Sequence, residues 1–334
     1  MDTVTRFTTA SQRQIYVIPV RSFPNLITNL FVIGDGQTLS LVDCGSGAFH
    51  SNDDLVAGLA YIGEHFGETI RLTDLDTILI THGHIDHFGG LNFVRQHNPE
   101  APIGVHILDR RVLSHHEERV VFAVSRLQAF LETAGVAEQQ RLALLRAYTF
   151  AKAIYKSVPV QFSLEEGKPV IGLQIYHVPG HCAGLVCLQV DDILLTADHI
   201  LSRTTPHQAP ESITRNMGLG HYLDSLTKIE RLDGIRLGLG SHEEPMPDVR
   251  ARIQAIRRLH DSRLDRVLEL CDKPATIAEI SLGLFGQVKD YHILLALEES
   301  GAHVEYLYER GLLVATNIEE IERAPHAPVQ YVRT

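Results

Sequence analysis

The sequence of 334 residues has no tryptophan, four cysteines and no long apolar run. The cysteines, at positions 44, 182, 187 and 271, form no Cys-x-x-Cys pair and no dense framework, so we expect free thiols in a reducing compartment. Apolar runs such as 78–80 and 193–195 are far shorter than the roughly 20 residues of a membrane-spanning helix. The first residues show no basic segment followed by an apolar stretch. We therefore expect a soluble cytoplasmic protein.

Basic side chains are also in deficit, because 30 Lys and Arg stand against 41 Asp and Glu and give a formal net charge of −11. Phosphate backbones and anionic membranes are usually met by clustered Lys and Arg, so this balance favours neither partner. We expect no membrane partner, and nucleic acid is the less favoured alternative to a small molecule. Histidine, with 19 residues, is the side chain present in excess.

Short apolar or alternating segments bounded by Gly, Pro, Asn or Asp fill the first two hundred or so residues. This pattern predicts the strands of a layered sheet structure. The predicted strands are 26–33, 39–43, 77–81, 103–106, 173–178, 185–190 and 193–197. Several end in polar residues, as at Asp43, His82 and Asp198, and rigid scaffolds often present functional side chains at such positions.

A helical insertion is predicted over about 111–160. Apolar residues recur at helical spacing in 120–131 and 138–156, with a break at Gly135. We interpret its aromatic residues as core contacts in preference to substrate contacts; they are Phe130, Tyr148, Phe150 and Tyr155.

A second composition shift follows Pro247. An amphipathic helix, two shorter helical segments and a strand at 311–314 are typical of a small winged-helix module, so we divide the chain into domains 1–247 and 248–334. Residues 250–310 contain nine basic and ten acidic side chains. Because this module is nearly neutral, packing or a homodimer is favoured over nucleic-acid binding.

The segment most informative about chemistry is residues 81–90, Thr-His-Gly-His-Ile-Asp-His-Phe-Gly-Gly. It places His82, His84, Asp86 and His87 within six residues, a set of nitrogen and oxygen ligands suited to zinc, iron or manganese. The spacing of the first two histidines lets both rings project to one side of an extended loop. The glycines allow tight turns of the backbone around an ion. A single, closed structural ion is the simpler alternative.

Three further polar residues follow predicted strands or turns: His181 after Pro-Gly, Asp198 after Thr-Ala, and His242 after Gly-Ser. Seven ligands are too many for one ion, but they suffice for two ions that share a carboxylate and activate a water between them. The sequence therefore predicts a dinuclear site. We expect the remaining histidines at the surface or satisfied within the core; they include His106, His115, His116, His177, His199, His207 and His221.

These motifs and their order resemble the metallo-β-lactamase superfamily of hydrolases over nearly the whole chain. The resemblance implies an α/β (α+β) fold, an αββα sandwich with two mixed sheets face to face and helices outside. It implies a first metal held by His82, His84 and His181, a second held by Asp86, His87 and His242, and Asp198 as the bridge. Asp43 matches the family's aspartate that orients a ligand histidine. Cys44 stands where the family usually has Thr.

The resemblance also has functional implications. It is nearest to the β-lactamase-like protein 2 and glyoxalase II-like group, whose first member carries a winged helix, and this implies a thioester or ester as substrate. Hydroxide held between two metals would attack a small acyl substrate, with Asp86 and Asp198 beside it. We expect two Zn²⁺ ions, with iron or manganese as alternatives. The alternative functions are cleavage of single-stranded RNA and an iron-dependent redox reaction.

Metal content tests the dinuclear hypothesis directly. We expect elemental mass spectrometry of the purified protein to find two divalent ions per chain, because seven ligands exceed what one ion accepts. One tightly held ion that a chelator cannot remove would instead support the closed structural site.

Overall fold

The computed structural model describes residues 3–324 and 326–334. Met1, Asp2 and Pro325, which the predicted domain ranges include, lie outside the described residues. A mixed sheet comes first in the chain, and its strands neighbour one another in chain order, antiparallel from the first to the fourth and parallel thereafter. They are β1 Thr5–Thr8, β2 Gln14–Phe23, β3 Leu26–Gly34, β4 Leu39–Val42, β5 Thr77–Leu79, β6 Ile103–Val105 and β7 Phe162–Ser163.

A second sheet has the order β11-β10-β9-β8, in which β10 and β11 are parallel and the other pairs antiparallel. Its strands are β8 Gln174–His177, β9 Val186–Val190, β10 Ile193–Ala197 and β11 Leu237–Gly240. A third, short antiparallel pair near the C-terminus joins β12 Leu313–Ala315 to β13 Tyr331–Arg333. Both large sheets are mixed, as predicted.

Helices connect the strands and cover the sheets. Those of the first half are α1 Ser51–Phe66, α2 Ile85–Phe88, α3 Leu91–His97, α4 Ile107–Ser114, α5 His116–Thr133 and α6 Glu138–Lys152. Those of the second half are α7 Leu219–Glu230, α8 Val249–Leu270, α9 Ile277–Phe285, α10 Tyr291–Glu309 and α11 Ile318–Arg323. Within residues 3–324 and 326–334, no helix has the length and apolar character that a membrane crossing requires.

Side chains that alternate between the two faces of each sheet produce a structure of four layers, with two sheets inside and helices outside. In β2, Ile15 and Val17 belong to the core between the two sheets, whereas Tyr16 and Ile18 belong to the core beneath α1. Successive side chains of a strand point to opposite faces, so one strand supplies both cores. The outer face of the second sheet is covered by α7 and α8. The predicted α/β class and αββα architecture are confirmed.

The helical insertion and the C-terminal helices share one hydrophobic core. Leu131 of α5 and Leu144 of α6 are buried in the same cluster as Val267 of α8, Ile280 of α9 and Leu297 of α10. The two segments that differ in composition from the sandwich therefore pack on each other. The domain division at 247 and the winged-helix interpretation stay predictions.

Two details differ from the sequence prediction. The helix predicted over 138–156 ends at Lys152, and Phe150, interpreted as a core contact, is 80% exposed. That interpretation was wrong because α5 and the C-terminal helices cover only the α6 face that carries Leu144 and Leu145. Tyr155, beyond the helix, is buried and packs against Phe88 of α2, with ring centroids 6.2 Å apart.

Leu131→Ala tests the shared core. Because Leu131 is fully buried between the insertion and the C-terminal helices, we expect its truncation to lower the free energy of unfolding by about 2–5 kcal/mol. Leu142→Ala, at a half-exposed position of the same insertion, is the control and should change it by about 0.5 kcal/mol or less. Urea denaturation followed by circular dichroism measures both; equal effects would contradict the packing.

Candidate metal centre

The loop that begins the centre is fixed by a buried carboxylate. The parallel strands β4 and β5 end at the same sheet edge, where Asp43 follows one and Thr81 the other. Asp43 accepts hydrogen bonds from the Thr81 main-chain N–H and hydroxyl, both at 2.8 Å, and its Oδ2 lies 2.8 Å from Nδ1 of His87. The carboxylate thus orients that imidazole, whose Nε2 faces the carboxylates of Asp86 and Asp198.

The first donor group comprises His82, His84, His181 and Asp198, whose ligand atoms lie within 4.8 Å of one another. Nε2 of His82 and Nε2 of His181 are each 3.0 Å from Nδ1 of His84. Three ring nitrogens from two separate loops therefore point at one position, the arrangement that a tetrahedrally coordinated cation accepts.

The second donor group comprises Asp86, His87 and His242, also within 4.8 Å of one another. Asp86 Oδ2 is 3.3 Å from His87 Nε2 and 3.4 Å from His242 Nε2. The short helix α2 carries the first two, and the loop after β11 carries the third. A mixed nitrogen and oxygen set of this kind suits zinc, iron or manganese.

Asp198 lies between the two groups. Its Oδ2 is 3.6 Å from His181 Nε2 and 3.9 Å from His82 Nε2 on one side. On the other side it is 3.4 Å from His242 Nε2 and 3.6 Å from His87 Nε2. Its second oxygen, Oδ1, is buried and has no hydrogen-bond partner in the described part of the chain. One carboxylate is thus within reach of two adjacent cation positions.

Hydrogen bonds from behind determine which ring nitrogens face the centre. Nδ1 of His181 donates to the His207 carbonyl at 2.6 Å, and Nδ1 of His242 donates to the Ile27 carbonyl at 2.6 Å. A carbonyl oxygen only accepts, so Nδ1 of each ring carries a proton and Nε2 is the nitrogen that faces the centre. Converging lone pairs and carboxylates are the donor chemistry of a cation site. The residues present therefore fit divalent metal ions.

The electrostatics give most of these groups their ligating form. Burial lowers the pKa of His82 and His84 well below the usual histidine range, which keeps both rings neutral. Burial raises the pKa of Asp86 and Asp198, but the neighbouring imidazoles outweigh it and hold both well below the usual range. Burial lowers the pKa of His242, yet the two carboxylates raise it to about 10. A bound cation would take the place of that proton.

Asp109 in α4 is a buried residue that the sequence analysis missed. Its carboxylate accepts a hydrogen bond from Gly83 N–H at 2.7 Å and another from Gly184 N–H at 2.9 Å. These glycines lie in the two loops that carry the three histidines of the first donor group, so Asp109 holds those loops together. A Cβ at Gly184 would lie 2.6 Å from the Asp109 carboxyl carbon, so the close approach requires glycine. No motif marks this aspartate in the sequence.

The structure brings the seven predicted ligands together and places Asp43 behind one of them. His207 contributes its main-chain carbonyl, which the sequence analysis did not foresee. The other histidines expected at the surface or in the core lie outside the two donor groups; they are His106, His115, His116, His177, His199 and His221. Cys44 is fully buried, and its main-chain N–H donates to the His87 carbonyl at 2.7 Å.

A third group of potential ligands, His260, Glu299 and His303, lies among the C-terminal helices within 4.8 Å. The Glu299 carboxylate, both ring nitrogens of His303 and Nδ1 of His260 already have protein partners, whereas Nε2 of His260 has none in the described part of the chain. Glu299 receives hydrogen bonds from Arg263 and a main-chain N–H, and Nδ1 of His303 donates to the Glu299 carbonyl at 2.7 Å. The group is therefore a buried hydrogen-bond network.

Comparison with known proteins agrees with this geometry. The family model of the metallo-beta-lactamase superfamily matches residues 24–242 of this sequence, which include all seven candidate ligands. The chain is 25% identical over 299 residues to "Probable metallo-hydrolase YqjP" of Bacillus subtilis, covering 83% of this chain and 89% of that protein. It is 26% identical over 235 residues to the "Atrochrysone carboxyl ACP thioesterase" of Aspergillus fumigatus, covering 68% of this chain and 54% of that protein.

Two solved structures share the fold. A metallo-beta-lactamase family protein of Thermus thermophilus, TTHA1429, has a TM-score of 0.77 and 26% identity, with 96% of this chain and 98% of that chain covered. A beta-lactamase domain protein of Burkholderia ambifaria has a TM-score of 0.75 and 23% identity, with 98% of this chain and 93% of that chain covered. At this coverage, the similarity extends into the C-terminal helices.

Asp109→Ala tests the connection between the two ligand loops. The substitution leaves two buried N–H groups without acceptors, which costs about 1–3 kcal/mol each, and we expect metal affinity to fall by about 10–100-fold. Chelator competition measures the metal affinity, and thermal denaturation measures the stability. Asp224→Ala, at an exposed position of α7, is the control and should change neither. An unaltered affinity in Asp109→Ala would contradict the role given to this carboxylate.

Proposed function

The chain belongs to the metallo-beta-lactamase superfamily, and from this premise we propose that it is a hydrolase that uses two divalent cations to cleave a thioester or ester. The position of Asp198 is the observation that carries the proposal. Its Oδ2 lies 3.4–3.9 Å from imidazole nitrogens of both donor groups. A carboxylate so placed suits two ions that share it, whereas a single closed site needs only one donor group.

In this proposal His82, His84 and His181 would hold the first cation, and Asp86, His87 and His242 would hold the second. Asp198 lies within reach of both positions. When bound, two such cations lower the pKa of a water between them and supply a nucleophile at neutral pH. We propose Zn²⁺ because the donors are mostly imidazoles, and iron or manganese uses the same donor types.

The protein's own groups then act on the water and the substrate. The unpartnered Oδ1 of Asp198 is available to accept a hydrogen bond from the attacking water and so to orient it. Asp86 faces the same volume from the second group. Asp43 keeps the His87 ring in place during the reaction through its 2.8 Å contact with Nδ1.

A thioester fits this site on chemical grounds. Thiols have pKa values of about 8.5, so a thiolate can leave near neutral pH without first receiving a proton. The Aspergillus fumigatus relative is named as a thioesterase, and this supports the same substrate class here. The segment after α6 packs against α2, since Tyr155 contacts Phe88, the residue next to His87. Burial, and then Asp86, raises the pKa of Tyr155 to about 12, so its hydroxyl stays protonated.

We further propose that residues 248–334 form a winged-helix-like domain attached to a catalytic domain of residues 1–247. The order α8, α9, α10 followed by the antiparallel pair β12 and β13 supports this interpretation. A cytoplasmic location and a homodimer stay predictions.

His84→Ala tests the proposed reaction. Loss of a first-group donor should lower kcat at least about a hundredfold toward a responsive acyl thioester, because placement of a metal-activated nucleophile contributes most of the rate. His97→Ala, at an exposed position of α3, is the matched control and should retain activity. Thiol release from a panel of acyl thioesters and esters, with Zn²⁺ restored, measures the rates.

The same panel includes a single-stranded RNA. Cleavage of the RNA at low salt, lost in His84→Ala and accompanied by no thioester or ester turnover, would contradict the proposal and support the phosphodiesterase alternative.

A further inference from the structure

Residues 201–212 follow Asp198 and contain no helix or strand. Several of them are buried, and a buried loop needs partners for its main-chain polar groups. Arg252 of α8 supplies some of these, because its guanidinium donates to the carbonyls of Leu201 at 2.5 Å, Arg203 at 2.9 Å and Thr204 at 2.6 Å. The beginning of the loop is thus held from the C-terminal helices.

Carboxylates of α10 hold the rest of this loop. Glu299 accepts a hydrogen bond from the Gln208 main-chain N–H at 2.7 Å, and Glu305 accepts from the main-chain N–H groups of Glu211 at 2.6 Å and Ser212 at 3.1 Å. The second oxygen of Glu299 accepts from Arg263 of α8 at 2.8 Å, so this buried carboxylate is itself held in place.

The peptide group between His207 and Gln208 connects this network to the centre. Its carbonyl accepts the 2.6 Å hydrogen bond from Nδ1 of His181, and its N–H donates to Glu299. A peptide group is planar, so a bond at each edge fixes the orientation of the whole unit. A carboxyl oxygen that accepts from the N–H also polarises the carbonyl and strengthens the bond that the carbonyl accepts.

We propose that Glu299 is a positioning residue of the metal centre that acts on His181 through the peptide group 207–208. Glu298, the preceding residue of α10, lies beside the same segment, with its Oε2 3.4 Å from Nε2 of the His207 ring. The C-terminal helices thereby have a defined task at the metal centre. This inference rests on the proposed metal binding and goes beyond it, since it assigns a remote helix to one of the two ions.

Zn²⁺ affinity in the absence of substrate tests the inference. Glu299→Ala should lower the affinity for one of the two ions by about 10–100-fold, because loss of a group that orients a metal ligand usually has an effect of this size. The affinity for the other ion should stay unchanged. Glu299→Gln should lower the Zn²⁺ affinity less, because its amide oxygen can still accept the hydrogen bond from the Gln208 main-chain N–H. Competition with a chromophoric chelator measures affinity, and the visible spectrum of the Co²⁺-loaded protein should change for one ion.

Thr276→Ala is the control. Thr276 caps α9 in the same module and accepts from the Glu279 N–H, so its removal should lower the melting temperature of the apoprotein without altering Zn²⁺ affinity. If Glu299→Ala does not fold, Glu299→Gln decides the question by the same two readouts.

Two results would overturn the inference and are distinguishable. A wild-type chain that binds two ions, together with a Glu299 variant that only melts earlier, as Thr276→Ala does, would refute the positioning role alone. A wild-type chain that binds no Zn²⁺ or Co²⁺ would refute the proposed function and the positioning role with it.

Discussion

Converging lone pairs and carboxylates in a buried volume repel one another, and the protein must hold them in place from behind. The holding groups come from three distant parts of the chain: the Asp43 carboxylate after β4, the Ile27 carbonyl in β3, and the His207 carbonyl in the loop after β10. Each fixes one imidazole at its Nδ1. The packing of the two sheets is what brings these parts together at a common edge, so the centre depends on the sandwich as a whole.

The candidate ligands were the part of this molecule that the sequence predicted most directly. A motif such as His-x-His-x-Asp-His uses residue types that the chemistry requires at spacings that a short loop can satisfy, and alternation marked most strands. β2 escaped detection because Pro19 and Arg21 interrupt its apolar pattern. Both residues have a place in the structure. The pairing of β1 with β2 ends at Val17, so Pro19 lies where no β1 residue needs its missing N–H. The guanidinium of Arg21 donates hydrogen bonds to the carboxylate of the buried Asp54.

The residues behind the ligands could not be found in the same way. Asp109 and Glu299 are acidic residues within helices, and in a sequence they look like any solvated charge. Their partners are main-chain N–H groups, Gly83 and Gly184 for one and Gln208 for the other, and a backbone donor leaves no mark on residue type. Only tertiary structure shows that these carboxylates are buried. The interpretation of Phe150 as a core contact failed for a related reason. Apolar periodicity identifies a helix, but it does not show which face of that helix other elements cover.

The contact between the peptide group 207–208 and Glu299 also bears on the order in which the protein is assembled. A chain is synthesised from its N-terminus, and the last candidate ligand, His242, precedes Arg252, Arg263 and Glu299. A nascent chain therefore contains every candidate ligand before it contains the side chains that hold the loop behind His181. Contacts this distant in sequence form late and slowly. The hydrogen bonds that hold this loop can be completed only after α10 has been made, so the groups behind His181 are synthesised after every candidate ligand.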